Sequence, residues 1–189
     1  MIYTECLGER LSLLGFGTMR LPLLSEKGED IDQEQVNRMV DYAIEHGVNY
    51  FDTAYVYHGG NSERIVKEAL VKRHPRESFT VATKLPAWEL HKAEDVDRIF
   101  NEQLERCGVE YFDFYLLHSV EDGNVDTYEK YDCFTWGLQK KAEGKIKHFG
   151  FSFHGSPELL EAFLSTKSPV KVHLLLPQRG EKAKLVALA

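Results

Sequence analysis

Phe51-Asp52-Thr53-Ala54-Tyr55-Val56-Tyr57 closes an apolar strand with a carboxylate and sets a tyrosine five residues further on. Two later apolar runs also finish on titratable groups, Phe79-Thr80-Val81-Ala82-Thr83-Lys84 and Phe114-Tyr115-Leu116-Leu117-His118. Helical segments separate the three. Strands that end in Asp, Lys and His and alternate with helices indicate a parallel α/β chain. In a (β/α) barrel the C-terminal ends of all strands gather at one mouth, so these side chains are expected on one catalytic face.

The same alternation extends in both directions. Before the first strand, Asp32 can cap a helix with Gln35 at its third position, and Gly47 can end it in a left-handed conformation. Val36, Met39, Val40, Ala43 and Ile44 give that helix one apolar face. A strand over Val48–Asp52 follows at once. A helix from about Ser62 to Lys72 turns Ile65, Val66, Ala69 and Leu70 inward, and the next, about 93–107, buries Val96, Ile99, Phe100, Leu104 and Cys107 before Gly108. After strand 111–118, one helix runs through Tyr131, Phe134, Leu138 and Ala142 to Gly144, then comes a strand at 146–152. Ser156-Pro157-Glu158 opens another helix, with serine as cap and proline at the first position. Val170–Leu176 reads as a last strand. A strand at Leu13–Met19 and a small hairpin at residues 2–12 precede the whole series.

The strands are short apolar runs rather than alternations, as parallel strands buried on both faces should be. About six strands are counted, whereas a closed (β/α)8 TIM barrel has eight strands and about 250 residues. At 189 residues the chain is expected to hold only about the first six strands of such a barrel. No linker or low-complexity tract divides it.

Composition narrows the function classes. A net charge of −7 argues against a nucleic-acid surface. No apolar run approaches a membrane span, and the N-terminal residues lack a basic start and apolar block, which points to the cytoplasm. Cys6, Cys107 and Cys133 are too few and too dispersed for a disulfide framework, a metal knuckle or an iron–sulfur cluster, and the eight histidines show no metal-ligand spacing. No metal is expected.

Several motifs in one order resemble the aldo-keto reductases: Gly15-Phe16-Gly17-Thr18-Met19-Arg20, the Asp52 to Tyr57 segment, Lys84-Leu85-Pro86, Phe112 to His118, and Gly144-Lys145-Ile146 before Gly150-Phe151-Ser152. The likeness covers roughly residues 1–166 and is nearest the bacterial branch whose full-length members append a ferredoxin-like segment. It implies a barrel that reduces carbonyls with NADPH bound at its mouth. It places the catalytic tetrad on Asp52, Tyr57, Lys84 and His118, and cofactor contacts on Gly17, Thr18, Met19, Asp52 and Ser152. Many relatives follow that serine with asparagine, and here the residue is Phe153.

The chemistry suits those residue types. Carbonyl reduction takes a hydride from the cofactor and a proton from the protein. A phenol is a sluggish acid at neutral pH, an adjacent ammonium makes its anion easier to form, and a carboxylate keeps the ammonium charged. Tyr57, Lys84 and Asp52 fill these parts, and His118 would bond the substrate oxygen. Singly, each residue has a bland reading: Asp52 as a turn residue, Tyr57 as loop packing, Lys84 as a solvated strand end, His118 as a histidine bonded under a loop. Their joint placement at successive strand ends favours function. Asp113 is expected to be structural, Gly59-Gly60-Asn61-Ser62-Glu63 a turn into a capped helix, Lys140-Lys141 a solvated helix end, and Trp88 a pocket wall.

After about Lys167 the resemblance stops, so 167–189 is read as a divergent tail holding a last strand and a disordered or short helical end. The chain is expected to be a truncated or frameshifted product or a gene fragment. Open barrel edges would then favour self-association, and NADPH binding and turnover would be weak. Two other functions compete. A strand-end lysine can form a Schiff base, which would make Lys84 a lyase or aldolase residue, although the Asp52–Tyr57 spacing favours reduction. A non-catalytic fragment or assembly partner of a reductase is the other.

Overall fold

The computed structural model describes residues 1–25, 30–166, 171–174 and 185–188. A hairpin comes first, with strand β1 (Tyr3–Cys6) antiparallel to β2 (Glu9–Ser12). The β/α series follows: β3 (Phe16–Gly17), α1 (Gln33–Glu45), β4 (Tyr50–Asp52), α2 (Ser62–Val66, running on as a π-turn through Lys67–Val71), β5 (Thr80–Pro86), α3 (Glu94–Cys107) and β6 (Phe112–Val120). Then come α4 (Val125–Lys130), α5 (Cys133–Ala142), β7 (Ile146–Phe153), α6 (Pro157–Thr166), β8 (Lys171–Leu174) and β9 (Leu185–Leu188). The chain divides into two compact units, one of residues 1–83 and 101–112, the other of residues 84–100 and 113–189.

In the first unit β3, β4 and β5 pair in parallel, with Phe16 opposite Phe51, Gly17 opposite Asp52, and Asp52 in turn opposite Ala82. The α1 signals operate as read: the Asp32 side chain accepts the Gln35 N–H at 2.9 Å, and Gly47 has φ +85°. Val36, Val40 and Ala43 are buried on its inner face, but Met39 is 39% exposed. The strand expected at Leu13–Met19 shrinks to two residues, and Leu13 and Leu14 face outward. Phe51 and Phe79 meet edge to face in the core, with centroids 6.3 Å apart.

In the second unit the neighbouring strands run β6, β7, β9, β8. β9 pairs antiparallel with both β7 and β8. The tail thus contributes a strand at 185–188, and the expected run at Val170–Leu176 is a strand over 171–174; Val170, Leu175 and Leu176 lie outside the described residues. The single helix expected through Tyr131 is two, because Asp132 takes φ +47° and breaks it. Ser156 opens α6 as expected, its hydroxyl accepting the Leu159 N–H at 3.2 Å. Lys140 is not simply solvated, since it lies 3.2 Å from both Asp97 and Glu143. Asp113 is structural, buried and 2.9 Å from the Lys147 ammonium. Cys107 and Cys133 serve as core residues, and burial pushes the Cys133 thiol up to about 12.

Two details of the second unit set stability. Gly137 of α5 lies flat against the ring of Phe149 in β7, so a methyl there would overlap the ring. Gly137→Ala should destabilise the protein by about 1–3 kcal/mol through overpacking, read by urea unfolding. At the start of α3, Asp95 reaches back to the backbone N–H groups of His91 and Lys92 at 2.9 and 3.0 Å and meets Arg98 at 3.0 Å. The His91 N–H leads these in holding the Asp95 carboxyl at about 2. A carboxyl lowered by folding stabilises above its unfolded pKa of about 3.9 and loses that contribution as pH falls. Asp95→Asn should therefore reduce stability at neutral pH and flatten the stability profile between about pH 4 and pH 2.

Candidate functional site

β4 delivers Asp52 as its last residue, and the short turn Tyr57–Gly60 starts on Tyr57, whose N–H donates to the Ala54 carbonyl at 3.2 Å. Both side chains are half-buried in the first unit. The turn needs unusual backbone: His58 has φ +52°, Gly59 +62° and Gly60 +88°. It is held from outside by the Leu21 N–H, which donates to His58 Nε2 at 3.0 Å and so leaves the imidazole proton on Nδ1.

Hydroxyl groups fix the end of β4. The Thr18 N–H and Thr18 Oγ1 both donate to the Asp52 carbonyl, at 2.9 and 3.0 Å. Ser62 Oγ donates to Thr18 Oγ1 at 2.7 Å, and Thr53 Oγ1 lies 2.9 Å from Ser62 Oγ. Each hydroxyl has one proton, so the chain runs one way: Thr53 to Ser62, Ser62 to Thr18, Thr18 to the carbonyl. Gly17 precedes this cluster, and a Cβ built on it would meet nothing within 4 Å. Met19 is 51% exposed.

Beside these groups lies a buried polar set absent from the sequence reading. Glu63 is wholly buried and accepts from Thr83 Oγ1 at 2.7 Å and Gln103 Nε2 at 2.8 Å, with Arg106 Nη1 at 3.8 Å. Arg106 also lies over the Tyr55 ring, 4.2 Å from its centroid. The Gly-Gly-Asn-Ser-Glu segment is thus a turn into a helix, but Asn61 makes no side-chain cap and Ser62 and Glu63 point inward. One signal was available: Gln103 stands on the apolar stripe of α3 between Ile99 and Cys107, where a polar residue calls for a buried partner.

In the second unit β5 carries Lys84, 6% exposed, and β6 carries His118, 9% exposed. The ring of Trp88 stands 5.2 Å from the imidazole, centroid to centroid. The chain turns sharply after His118, with Ser119 at φ +55°. That conformation is held twice: the Ser119 N–H donates to Ser152 Oγ at 2.7 Å, and Asn124 Nδ2 donates to the Ser119 carbonyl at 2.8 Å. Ser152 and the His118 strand end are therefore brought together, as β6 and β7 are neighbours. Phe153 is a buried ring against Phe151 and supplies no polar group. Among the described residues, no cluster of His, Cys, Asp and Glu is arranged to hold a metal ion.

Residues 13–178 match the family described as Aldo/keto reductase family. The chain is 34% identical over 163 residues to "Probable aldo-keto reductase 1" of Glycine max, an alignment covering 81% of this chain and 44% of that protein. It superposes on a thermostable aldo-keto reductase crystallised with the inhibitor epalrestat at a TM-score of 0.68 and 26% identity, covering 89% of this chain and 59% of the other. With the Klebsiella pneumoniae aldo-keto reductase in complex with NADPH the TM-score is 0.54 and the identity 27%, over 75% of this chain and 45% of that one. The chain thus spans about half the length of the relatives it matches. From its match over most of its length and its alternating strands and helices, the chain belongs to the aldo/keto reductase family, with the family's (β/α)8-barrel type of fold.

Proposed function

We propose that this chain carries the site of an NADP-dependent reductase of aldehyde or ketone carbonyls, working through Asp52, Tyr57, Lys84 and His118. The observation that carries the reading is the match of these four in type and order within a chain of this family, with Asp52 closing β4, Tyr57 opening the turn after it, and Lys84 and His118 near the C-terminal ends of β5 and β6. The NADPH held by the Klebsiella pneumoniae neighbour supports the choice of cofactor. On its motifs the chain sits nearest bacterial members that append a ferredoxin-like segment. A cytoplasmic setting fits the reading, and among the described residues no helix is long and apolar enough to cross a membrane.

The residues present suit the nicotinamide end of such a cofactor. Open space above Gly17 admits a ligand close to the backbone, and exposed Met19 offers an apolar contact. Ser152 Oγ accepts from Ser119, while its own proton has only a long 3.5 Å contact with the Leu117 carbonyl, so it can be donated to a carboxamide oxygen. The reduced cofactor supplies a hydride when bound. In this reading Tyr57 is the group that gives its hydroxyl proton to the carbonyl oxygen, Lys84 the cation that makes a phenolate easier to form, and Asp52 the carboxylate that keeps such a cation charged. His118 holds the substrate oxygen by a hydrogen bond. Trp88, beside it and 47% exposed, forms an aromatic wall for the substrate.

One observation favours an additional role in assembly. In the first unit a groove of about 550 Å³ is lined by Leu14, Phe16, Met39 and Tyr42, with Arg38 and His46 at its polar side. Leu14 is 62% and Tyr42 64% exposed, and β3 is the end strand of its sheet among the described residues. We propose that a second copy of this chain covers this edge and patch, since an unpaired strand edge beside exposed apolar groups favours association.

Titration with NADPH, followed by cofactor and tryptophan fluorescence, should give weak saturable binding, with slow reduction of small aldehydes. Tyr57→Phe should slow that reduction by at least about 100-fold while leaving NADPH binding within about two-fold. Equal rates for the two proteins would remove Tyr57 from the reaction. Sedimentation should find dimers that Met39→Glu with Tyr42→Lys converts to monomers; a wild-type monomer at all concentrations would defeat the assembly role.

A further inference from the structure

Tyr128 lies on α4 and is 2% exposed, yet its hydroxyl touches no side chain among its hydrogen-bond partners. It meets three backbone groups instead: the Leu85 carbonyl at 2.8 Å, the His118 carbonyl at 2.7 Å and the Ala87 N–H at 3.1 Å. A phenol has one proton and accepts through its lone pairs. The Ala87 N–H therefore donates to it, and its single proton serves the two carbonyls together. Burial pushes the Tyr128 phenol well above its usual value, so the proton stays in place across the physiological range.

The identity of those backbone groups gives the contact its meaning. Leu85 directly follows Lys84, and the second carbonyl belongs to His118 itself. Ala87 directly precedes Trp88, whose ring abuts the His118 imidazole. The peptide after His118 is fixed separately, through Ser152 and Asn124. Tyr128 reaches both strands, β5 at Leu85 and β6 at His118. We propose that Tyr128 is a positioning residue for the reductase site, its one hydroxyl joining the end of β5 that carries Lys84 to the end of β6 that carries His118. This rests on the assignment of Lys84 and His118 to the site. Tyr128 itself touches neither substrate nor cofactor; it fixes the backbone from which the two side chains project, and it sets the Trp88 ring against the imidazole. A catalytic group displaced by about 1 Å can cost about 100-fold in rate, so a clamp on the backbone behind it has a kinetic signature.

The test uses the full chain with Trp136→Phe, so that the remaining indole, Trp88, reports the protonation of His118 by its fluorescence. The His118 ring resonances are followed by NMR through the same pH range. Tyr128→Phe keeps the ring and removes the hydroxyl. It should move the His118 titration midpoint by about half a pH unit or more and lower kcat for aldehyde reduction by about 10-fold to 100-fold, with KM for NADPH changed less than about two-fold. Phe134→Leu, a core change on the neighbouring helix α5, provides the comparison at matched loss of stability and should leave the midpoint in place. Should Tyr128→Phe fail to fold, Ala87→Pro removes the N–H donor and sets a ring methylene against the Tyr128 oxygen, which displaces the hydroxyl. Pro86 before it already has the extended backbone (ψ 123°) that a following proline requires, and the midpoint should move in the same way. A midpoint unchanged by the hydroxyl's removal, or moved equally by Phe134→Leu, would overturn the proposal. The titration needs no turnover, so a failure of the reductase reading shows as absent reduction in the parent protein and is distinguishable from a failure of the clamp.

Discussion

A parallel strand that ends inside a protein carries N–H and C=O groups past the last rung of its ladder, and each one left buried without a partner costs roughly 1–3 kcal/mol. In this chain side-chain hydroxyls add partners to backbone groups near the strand ends that bear the candidate site. Thr18 takes the carbonyl of Asp52. Tyr128 takes those of Leu85 and His118, and Ser152 receives the N–H of Ser119. Because the partners are short or rigid groups on neighbouring elements, satisfying the backbone also fixes where Asp52, Lys84 and His118 begin. The demand comes from folding, and its by-product is a fixed backbone beneath the candidate site residues.

The buried ionisable groups fall into two kinds. Glu63 has no exposed surface; Thr83 of β5 and Gln103 of α3 donate to it, and the Arg106 guanidinium of α3 lies 3.8 Å away. Removing a carboxyl from water is costly by several kcal/mol, and charge-assisted bonds offset that cost only when their geometry is good. Such a set adds little net stability but admits one packing of α2, since any rotation of the helix would strand the group. Asp113 is as deeply buried, but it pairs with Lys147, whose side chain is 41% exposed and brings its own hydration. The first arrangement specifies structure; the second is a strand residue finding the nearest cation.

Local signals were enough for much of this. The Asp32 cap, Gly47, the apolar face of α1 and the Ser156-Pro157 start of α6 depend on neighbours in sequence, and Asp32 and Ser156 both cap as read. The candidate residues were visible because strand ends can be located from an apolar run followed by a polar residue. What escaped was long-range. Nothing local singles out Tyr128, whose partners lie 10 to 43 residues away, or shows that Asp132 turns left-handed and breaks the expected helix in two. Glu63 reads from its neighbours only as part of a turn into a capped helix, because its partners lie 20 and 40 residues further along the chain. The antiparallel strand at 185–188 follows no pattern that a β/α alternation would supply, and its pairing with β7 is a matter of which edge is available.

The two hydroxyls first considered as cofactor contacts, Thr18 and Ser152, turn out to differ in what they can still offer. Thr18 is 2% exposed; its proton goes to the Asp52 carbonyl, and its acceptor side takes the Ser62 proton. Any ligand bond from that hydroxyl would have to break the chain of donors that holds β4. Ser152 is filled on its acceptor side by Ser119, but its proton faces a carbonyl at 3.5 Å, at the limit of a useful bond. A ligand oxygen closer than that would gain a donor at almost no cost to the fold. Of the two hydroxyls, Ser152 is thus the one with a proton to spare for a ligand, whereas the Thr18 proton is committed to the Asp52 carbonyl.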